Sequence, residues 1–233
     1  MSKIKIVEWN VSKRREKRED ITKSLKLVKP NIIVLTEVTY GIRDYKVYLG
    51  EYTCVEGLKE SRDNKTIIFS KSDGVKEVEL DKGDDSPNWS CVQVYDYTIM
   101  GVRFRNSGLT PENKYSQKAI FLNTIEEKKP DVIIGDFNVN SAFSIPGKYS
   151  WSAMLTEVKM KGYDYIDACN KEASFSYQRN GNLRALNIGT CPDVLFVRKE
   201  SQLKALEAKY HWEEGCMTDH AMLIAELERK PEV

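Results

Sequence analysis

Net charge, histidine and long apolar sequence are all scarce in this chain. Lysine and arginine total 36 against 35 aspartates and glutamates, leaving +1 when its 2 histidines are neutral. So even a balance provides no general pull on nucleic acid or an anionic membrane, and any polyanion contact must come from a local patch. No apolar run approaches the ~20 residues that span a bilayer. Nothing at the amino terminus reads as a signal peptide, because Met1-Ser2-Lys3-Ile4-Lys5-Ile6 goes straight into a strand-like alternation. The 5 cysteines, Cys54, Cys91, Cys169, Cys191 and Cys216, are odd in number and scattered, matching neither a zinc spacing nor a disulfide framework. Reduced thiols in a cytoplasmic protein are the expectation. There is no internal repeat, low-complexity segment or linker, so the 233 residues are expected to form a single domain, 1–233, able to bury a sizeable core.

What the chain does have is a set of short apolar runs bordered by polar residues. Val132-Ile133-Ile134 reads as a strand buried on both faces, closed by Gly135 and followed by Asp136 and Asn138. Gly135 admits close approach of backbone or substrate, and the polar pair stands where a strand end opens towards a ligand. Taken alone, Asp-x-Asn after a strand reads first as turn chemistry, with both side chains bonding their own backbone.

The same grammar recurs along the chain. Residues 3–9 alternate and lead to Trp9-Asn10; a charged stretch from Ser12 then spaces Ile21, Leu25 and Val28 as a helix that Pro30 stops. Ile32 to Leu35 is a buried strand carrying Glu37 at its end. Short β-prone runs near 45–56, 64–70, 75–80 and 90–104 predict antiparallel meanders. A helix is expected over 112–129, ended by Pro130, and another near 151–161. Asp193 begins the apolar run Val194 to Val197, and Asp219-His220 precedes Ala221 to Ala225, a last strand. His211, within Tyr210-His211-Trp212, has no ligand-like neighbours and reads as structural.

Asn10, Glu37, Asp136 with Asn138, Asp193, and Asp219-His220 each have a bland explanation. As an ordered set spanning Ile4 to Leu227, they resemble the endonuclease/exonuclease/phosphatase superfamily, which includes deoxyribonuclease I, abasic-site endonucleases, RNA deadenylases, inositol polyphosphate phosphatases and sphingomyelinases. The resemblance implies a deoxyribonuclease I-like α/β fold, a two-sheet sandwich with flanking helices, and metal-dependent hydrolysis of phosphate esters. It implies magnesium, with manganese as an alternative, held by Glu37 with Asn10 and Asp219. It further implies that Asp136 and Asn138 orient the attacking water, that His220 contacts the phosphate, and that Asp193 orients His220. Whether Asp136 or His220 takes the water's proton stays open at this stage.

The details lean towards the exonuclease III-like, abasic-site branch. Asn106, three residues beyond Arg103, matches a phosphate-binding asparagine there, and Asn187-Ile188-Gly189 precedes Asp193 much as in abasic-site enzymes. Arg103 replaces a histidine or tyrosine used near the scissile phosphate; it reads either as a bidentate phosphate ligand or as a salt-bridged strand residue. Ser12 stands in for a frequent acid, which speaks against a second metal subsite, and Thr190 and Cys191 stand in for an aromatic and an arginine. The leading expectation is a magnesium-dependent nuclease acting on DNA, with Arg62, Lys65, Arg103, Arg105, Lys114, Lys118, Arg179 and Arg184 as candidate backbone contacts. The alternatives are a phosphatase or phosphodiesterase of small phosphate esters or RNA, and a binding protein of the same fold with weakened catalysis. No membrane or protein partner is implied.

Overall fold

A computed structural model of the chain describes residues 3–12, 17–39, 42–56, 65–80, 88–104, 110–138, 151–169, 173, 176–178, 189–213 and 218–231. Along β1 (Lys3–Asn10) and β2 (Ile32–Val38), alternate side chains enter different apolar layers. Ile4, Ile6, Ile32 and Val34 join one buried cluster, whereas Val7, Trp9, Ile33 and Leu35 join another. The same division recurs in β8 (Val132–Asp136), where Val132 and Ile134 belong to the first cluster and Ile133 to a third. Strands buried on both faces have no polar side to show, which explains the continuous apolar runs.

The three clusters are the interfaces of a four-layer sandwich. The first lies between two six-stranded sheets, and the others lie between each sheet and its helices. Helices α1 (Arg18–Val28) and α2 (Ile42–Tyr48) cover the first sheet through Ile21, Leu25 and Tyr45. Helices α3 (Pro111–Lys128) and α4 (Trp151–Met160) cover the second through Phe121, Ile125, Met154 and Val158. The remaining strands are β3 (Thr53–Glu56), β4 (Lys65–Ser70), β5 (Lys76–Glu77), β6 (Ser90–Val94), β7 (Tyr97–Arg103), β9 (Tyr163–Ile166), β10 (Asp193–Arg198), β11 (Leu203–His211) and β12 (Met222–Arg229). The sheet orders are β11-β12-β1-β2-β4-β3 and β5-β6-β7-β8-β10-β9.

Each sheet holds one parallel βαβ unit, β1-α1-β2 and β7-α3-β8, and their construction is alike. Both helices end on a left-handed lysine, Lys29 or Lys129, followed by proline. The next residue then clamps the neighbouring strand reciprocally. Asn31 donates its N–H to the Lys5 carbonyl at 2.7 Å and accepts the Lys5 N–H at 2.8 Å. Asp131 does the same to Thr98 at 2.7 and 2.9 Å. The echo is written in the chain as Lys29-Pro30-Asn31-Ile32-Ile33-Val34 and Lys129-Pro130-Asp131-Val132-Ile133-Ile134, a likeness of six residues and not of whole units.

The expected meanders form between β3 and β4 and from β5 to β7, all antiparallel. The β-prone reading of 45–56 is corrected in its first half, where α2 runs to Tyr48. Tyr45 and Leu49, four apart, are both buried, and the Leu49 N–H donates to the Tyr45 carbonyl at 2.8 Å, while the β-branched Val47 is 78% exposed. Burial at helical spacing outweighs strand propensity there. The sequence pattern also did not foresee β9 or β11. In β11 a register shift between Ala205 and Glu207 breaks the two-residue period. No helix among the described residues is long and apolar enough to cross a membrane.

Candidate active site

Strand direction gathers the polar residues at one end of the sandwich. Asn10, Arg103 and Asp136 are the last residues of β1, β7 and β8, and Glu37 is the penultimate residue of β2. Asp193 begins β10, which runs antiparallel to β8, and His220 precedes β12, which runs antiparallel to β1. An antiparallel strand brings its beginning to the end of its neighbour, so acids at strand starts and strand ends meet. Asp193 is directly opposite Asp136 on one side, and Arg103 pairs with Asp136 on the other.

Asp136 is 1% exposed and surrounded by donors. Its Oδ2 accepts from Asn10 Nδ2 at 2.9 Å and Asn138 Nδ2 at 2.8 Å, and its Oδ1 accepts the Asn138 N–H at 2.8 Å. The last bond is the turn chemistry expected of Asp-x-Asn. Asn138, at φ 48°, also donates to the Phe104 carbonyl at 2.8 Å. Burial and the charge of Asp193 push the Asp136 carboxyl up to about 6, against the lowering effects of His220, Arg103 and the Asn138 N–H. Gly135 does admit a close approach, but of backbone: a Cβ there would lie 1.9 Å from the Val102 carbonyl oxygen, and its φ is +150°.

His220, 6% exposed, makes an Nδ1 contact of 2.8 Å to Asp193 Oδ2. Burial alone would lower the imidazole. The charge and hydrogen bond of Asp193, with the charges of Asp136 and Asp219, instead raise it to about 9. Several contacts fix this segment. The Trp9 indole donates to Thr218 Oγ1 at 3.1 Å and to the His220 carbonyl at 3.0 Å, and the Tyr177 ring lies 4.8 Å from the imidazole. The Asp193 N–H donates to Ser176 Oγ at 3.2 Å, and Tyr210 Oη donates to the Asp193 carbonyl at 2.7 Å.

Glu37 sits where the pairing of β2 with β4 slips between Leu35 and Val38, and its φ is +55°. A left-handed conformation costs a non-glycine residue roughly 1–2 kcal/mol, so the fold holds this glutamate in place at some expense. Its Oε1 receives both Arg103 Nη2 at 2.6 Å and Arg103 Nε at 3.1 Å, while Oε2 accepts no hydrogen bond from the described residues. The salt-bridge reading of Arg103 is therefore the arrangement in this structure. Ser12, at φ 48°, donates its hydroxyl to Asp219 Oδ1 and its N–H to Asn10 Oδ1 at 2.9 Å.

Among the described residues, Asp136, Asp193 and His220 bring potential ligand atoms within 4.8 Å of one another. Within that cluster the Asp193–His220 hydrogen bond already commits the imidazole Nδ1 and one carboxylate oxygen to each other. Glu37, Asn10 and Asp219, the ligands the resemblance implies, carry oxygens of the kind magnesium prefers; Asn10 and Asp219 meet through Ser12, whose N–H and hydroxyl they accept.

Glu8 is the residue that sequence reasoning missed. It is 0% exposed, with Oε1 accepting from Thr36 Oγ1 at 3.1 Å. Its Oε2 and Asp193 Oδ1 are both buried without a donor. Desolvation and the charges of Asp193 and Asp136 raise the Glu8 carboxyl well above the ordinary range. The signal was present: Ile4, Ile6, Glu8 and Asn10 share one face, so an acid occupied a core position.

Other expected residues fare differently. Lys118 is engaged by Glu157 at 2.8 Å, tying α3 to α4, which argues against a role in backbone contact. Asn106, Arg62, Arg105, Arg179, Arg184, Asn187, Ile188 and Cys216 lie outside the described residues, as does the side chain of Lys65. Cys169 and Cys191 approach to 3.8 Å between sulfurs without a disulfide, a proximity their sequence separation conceals.

Neither a family model nor a curated protein sequence matches the chain. Solved structures do. A Neisseria 3' phosphatase, NExo, bound to a product DNA hairpin, is 19% identical with a TM-score of 0.74, covering 95% of this chain and 98% of its own. An AP endonuclease from Archaeoglobus fulgidus is 13% identical with a TM-score of 0.75 and the same coverages, 95% and 98%. An endonuclease/exonuclease/phosphatase from Bacteroides vulgatus is 16% identical with a TM-score of 0.70, covering 99% and 100%. The chain therefore has the two-sheet, deoxyribonuclease I-like fold of the endonuclease/exonuclease/phosphatase structures.

Proposed function

We propose that the chain is a divalent-metal-dependent phosphoesterase, a nuclease that cleaves DNA by attack of water on a backbone phosphate. The observation that carries this reading is the convergence of Asp136, Asp193 and His220, whose polar atoms lie within 4.8 Å of one another beside the amides of Asn10 and Asn138; burial and neighbouring charges push Asp136 up to about 6, and the surrounding carboxylates raise His220 to about 9. Near neutral pH the aspartate is ionised yet basic enough to accept a proton from water, and the imidazole is a cationic donor to a phosphate oxygen. In this reading Asp136 is the base. Asn10 and Asn138 orient that carboxylate, and Asp193 holds the imidazole from behind. Arg103 and Asn106 bind the phosphate in this reading.

Glu37, Asn10 and Asp219 would hold magnesium or manganese. Oε2 of Glu37 is uncommitted among the described residues, and the Asn10 carbonyl keeps a second lone pair beside its bond from Ser12. The ion would neutralise phosphate charge and stabilise the leaving oxygen.

The test is a panel of single-stranded, duplex, abasic and 3'-phosphorylated DNA, RNA and small phosphate esters, each with magnesium or manganese. DNA cleavage should weaken steeply with added salt and fall about a hundredfold or more in His220→Ala and Glu37→Gln. Undiminished activity in both variants overturns the site. Removal of a terminal phosphate is the second reading, favoured by the 3' phosphatase among the structural neighbours. Phosphate release with the DNA chain left intact selects it.

A further inference from the structure

Arg103 and Glu37 reach the site from different sheets, as the last residue of β7 and a bulged residue of β2. The side chains are only 9% and 18% exposed, and both guanidinium contacts fall on the same carboxylate oxygen. A metal on Oε2 would then share one carboxylate with a guanidinium on Oε1. Two cations on one anion repel, and partial burial leaves little water to screen them. Arginine cannot relieve this by losing a proton. What relieves it is a second anion of the right shape, and a phosphate presents paired oxygens that match the guanidinium fork.

Resting on the reading of Glu37 as a metal ligand, we infer that Arg103 couples metal capture to substrate: its pair with Glu37 keeps divalent-ion affinity low in the free protein, and a phosphate that draws Arg103 away frees Glu37 for the ion. The free protein is then guarded against idle metal loading. Because coupling between two binding events is reciprocal, the metal tightens phosphate binding by the factor with which phosphate tightens metal binding.

The experiment measures Mn2+ binding to the full chain by electron paramagnetic resonance, with and without inorganic phosphate. Arg103→Gln should bind Mn2+ at least about tenfold more tightly than wild type when phosphate is absent. Phosphate should tighten the wild type by about fivefold or more and change Arg103→Gln by less than about twofold. Arg103→Lys keeps the charge, guards against a folding defect in the neutral variant, and should bind Mn2+ within about threefold of wild type. Glu37→Gln should abolish the binding in every background. Equal Mn2+ affinity in wild type and Arg103→Gln, with Glu37→Gln still silent, makes the pair purely structural and overturns the inference alone. Mn2+ binding as tight in Arg103→Lys as in Arg103→Gln also overturns it, because charge is then not the cause. Unchanged binding in Glu37→Gln removes the metal site itself, and the proposed function's cation assignment with it.

Discussion

Replacing His220 by glutamine isolates one ionisation whose effect on stability has a definite sign. The buried imidazole is raised from its ordinary 6.5 to about 9, so the folded state holds a proton that the unfolded chain gives up earlier. Its contribution is therefore fully present below pH 6.5 and is lost as the pH climbs towards 9. At about 1.4 kcal/mol per pH unit, that window is worth about 3 kcal/mol. Urea unfolding at pH 6 and pH 9.5 should show the wild type losing about 3 kcal/mol more than His220→Gln. The chain has only 2 histidines, and His211 is 47% exposed beside Glu213, so proton NMR can follow the two imidazoles separately. Asp193→Asn removes the chief raising influence while leaving the burial and the charges of Asp136 and Asp219, and should lower the His220 titration. If the wild-type His220 resonance titrates at or below 6.5, or the two proteins lose stability in parallel, the charge assignment of the site is wrong.

Three further outcomes follow from the same geometry. The pH profile of kcat/KM should be bell-shaped, rising as Asp136 ionises near 6 and falling as His220 deprotonates near 9; an Asp136→Asn enzyme that keeps its acid limb would refute Asp136 as base. Gly135→Ala should destabilise by at least about 3 kcal/mol in urea melts, since its Cβ overlaps the Val102 carbonyl, and a loss below about 1 kcal/mol contradicts the strand packing. Glu8→Gln should gain stability relative to wild type as the pH rises above 4.5, because the folded state holds the Glu8 proton and the wild type is penalised as that proton is withdrawn; a pH-independent difference would show that Glu8 is not held protonated.

Much of the site was legible because strand ends announce themselves: an apolar run that stops at a polar residue marks Asn10, Glu37 and Asp136 without any knowledge of what lies across from them. Asp193 and His220 were legible at strand beginnings, but only strand direction explains why beginnings and ends coincide. The bulge that carries Glu37 was not readable, since Thr36-Glu37 reads as a plain strand end and the pairing slips only against β4.

By itself, then, the sequence determined where the central strands β1, β2 and β8 and the helices α1 and α3 would stop and which residues would border the sheets there, because burial periodicity, proline and turn chemistry act over a few residues. Only the tertiary structure decided the charges and partners of those residues. The raised carboxyl of Glu8, the shifts of Asp136 and His220, and the capture of Glu37 by Arg103 all depend on neighbours distant in the chain. Ionisation and pairing are set by desolvation and by the nearest charges in space, and chain order does not contain those distances.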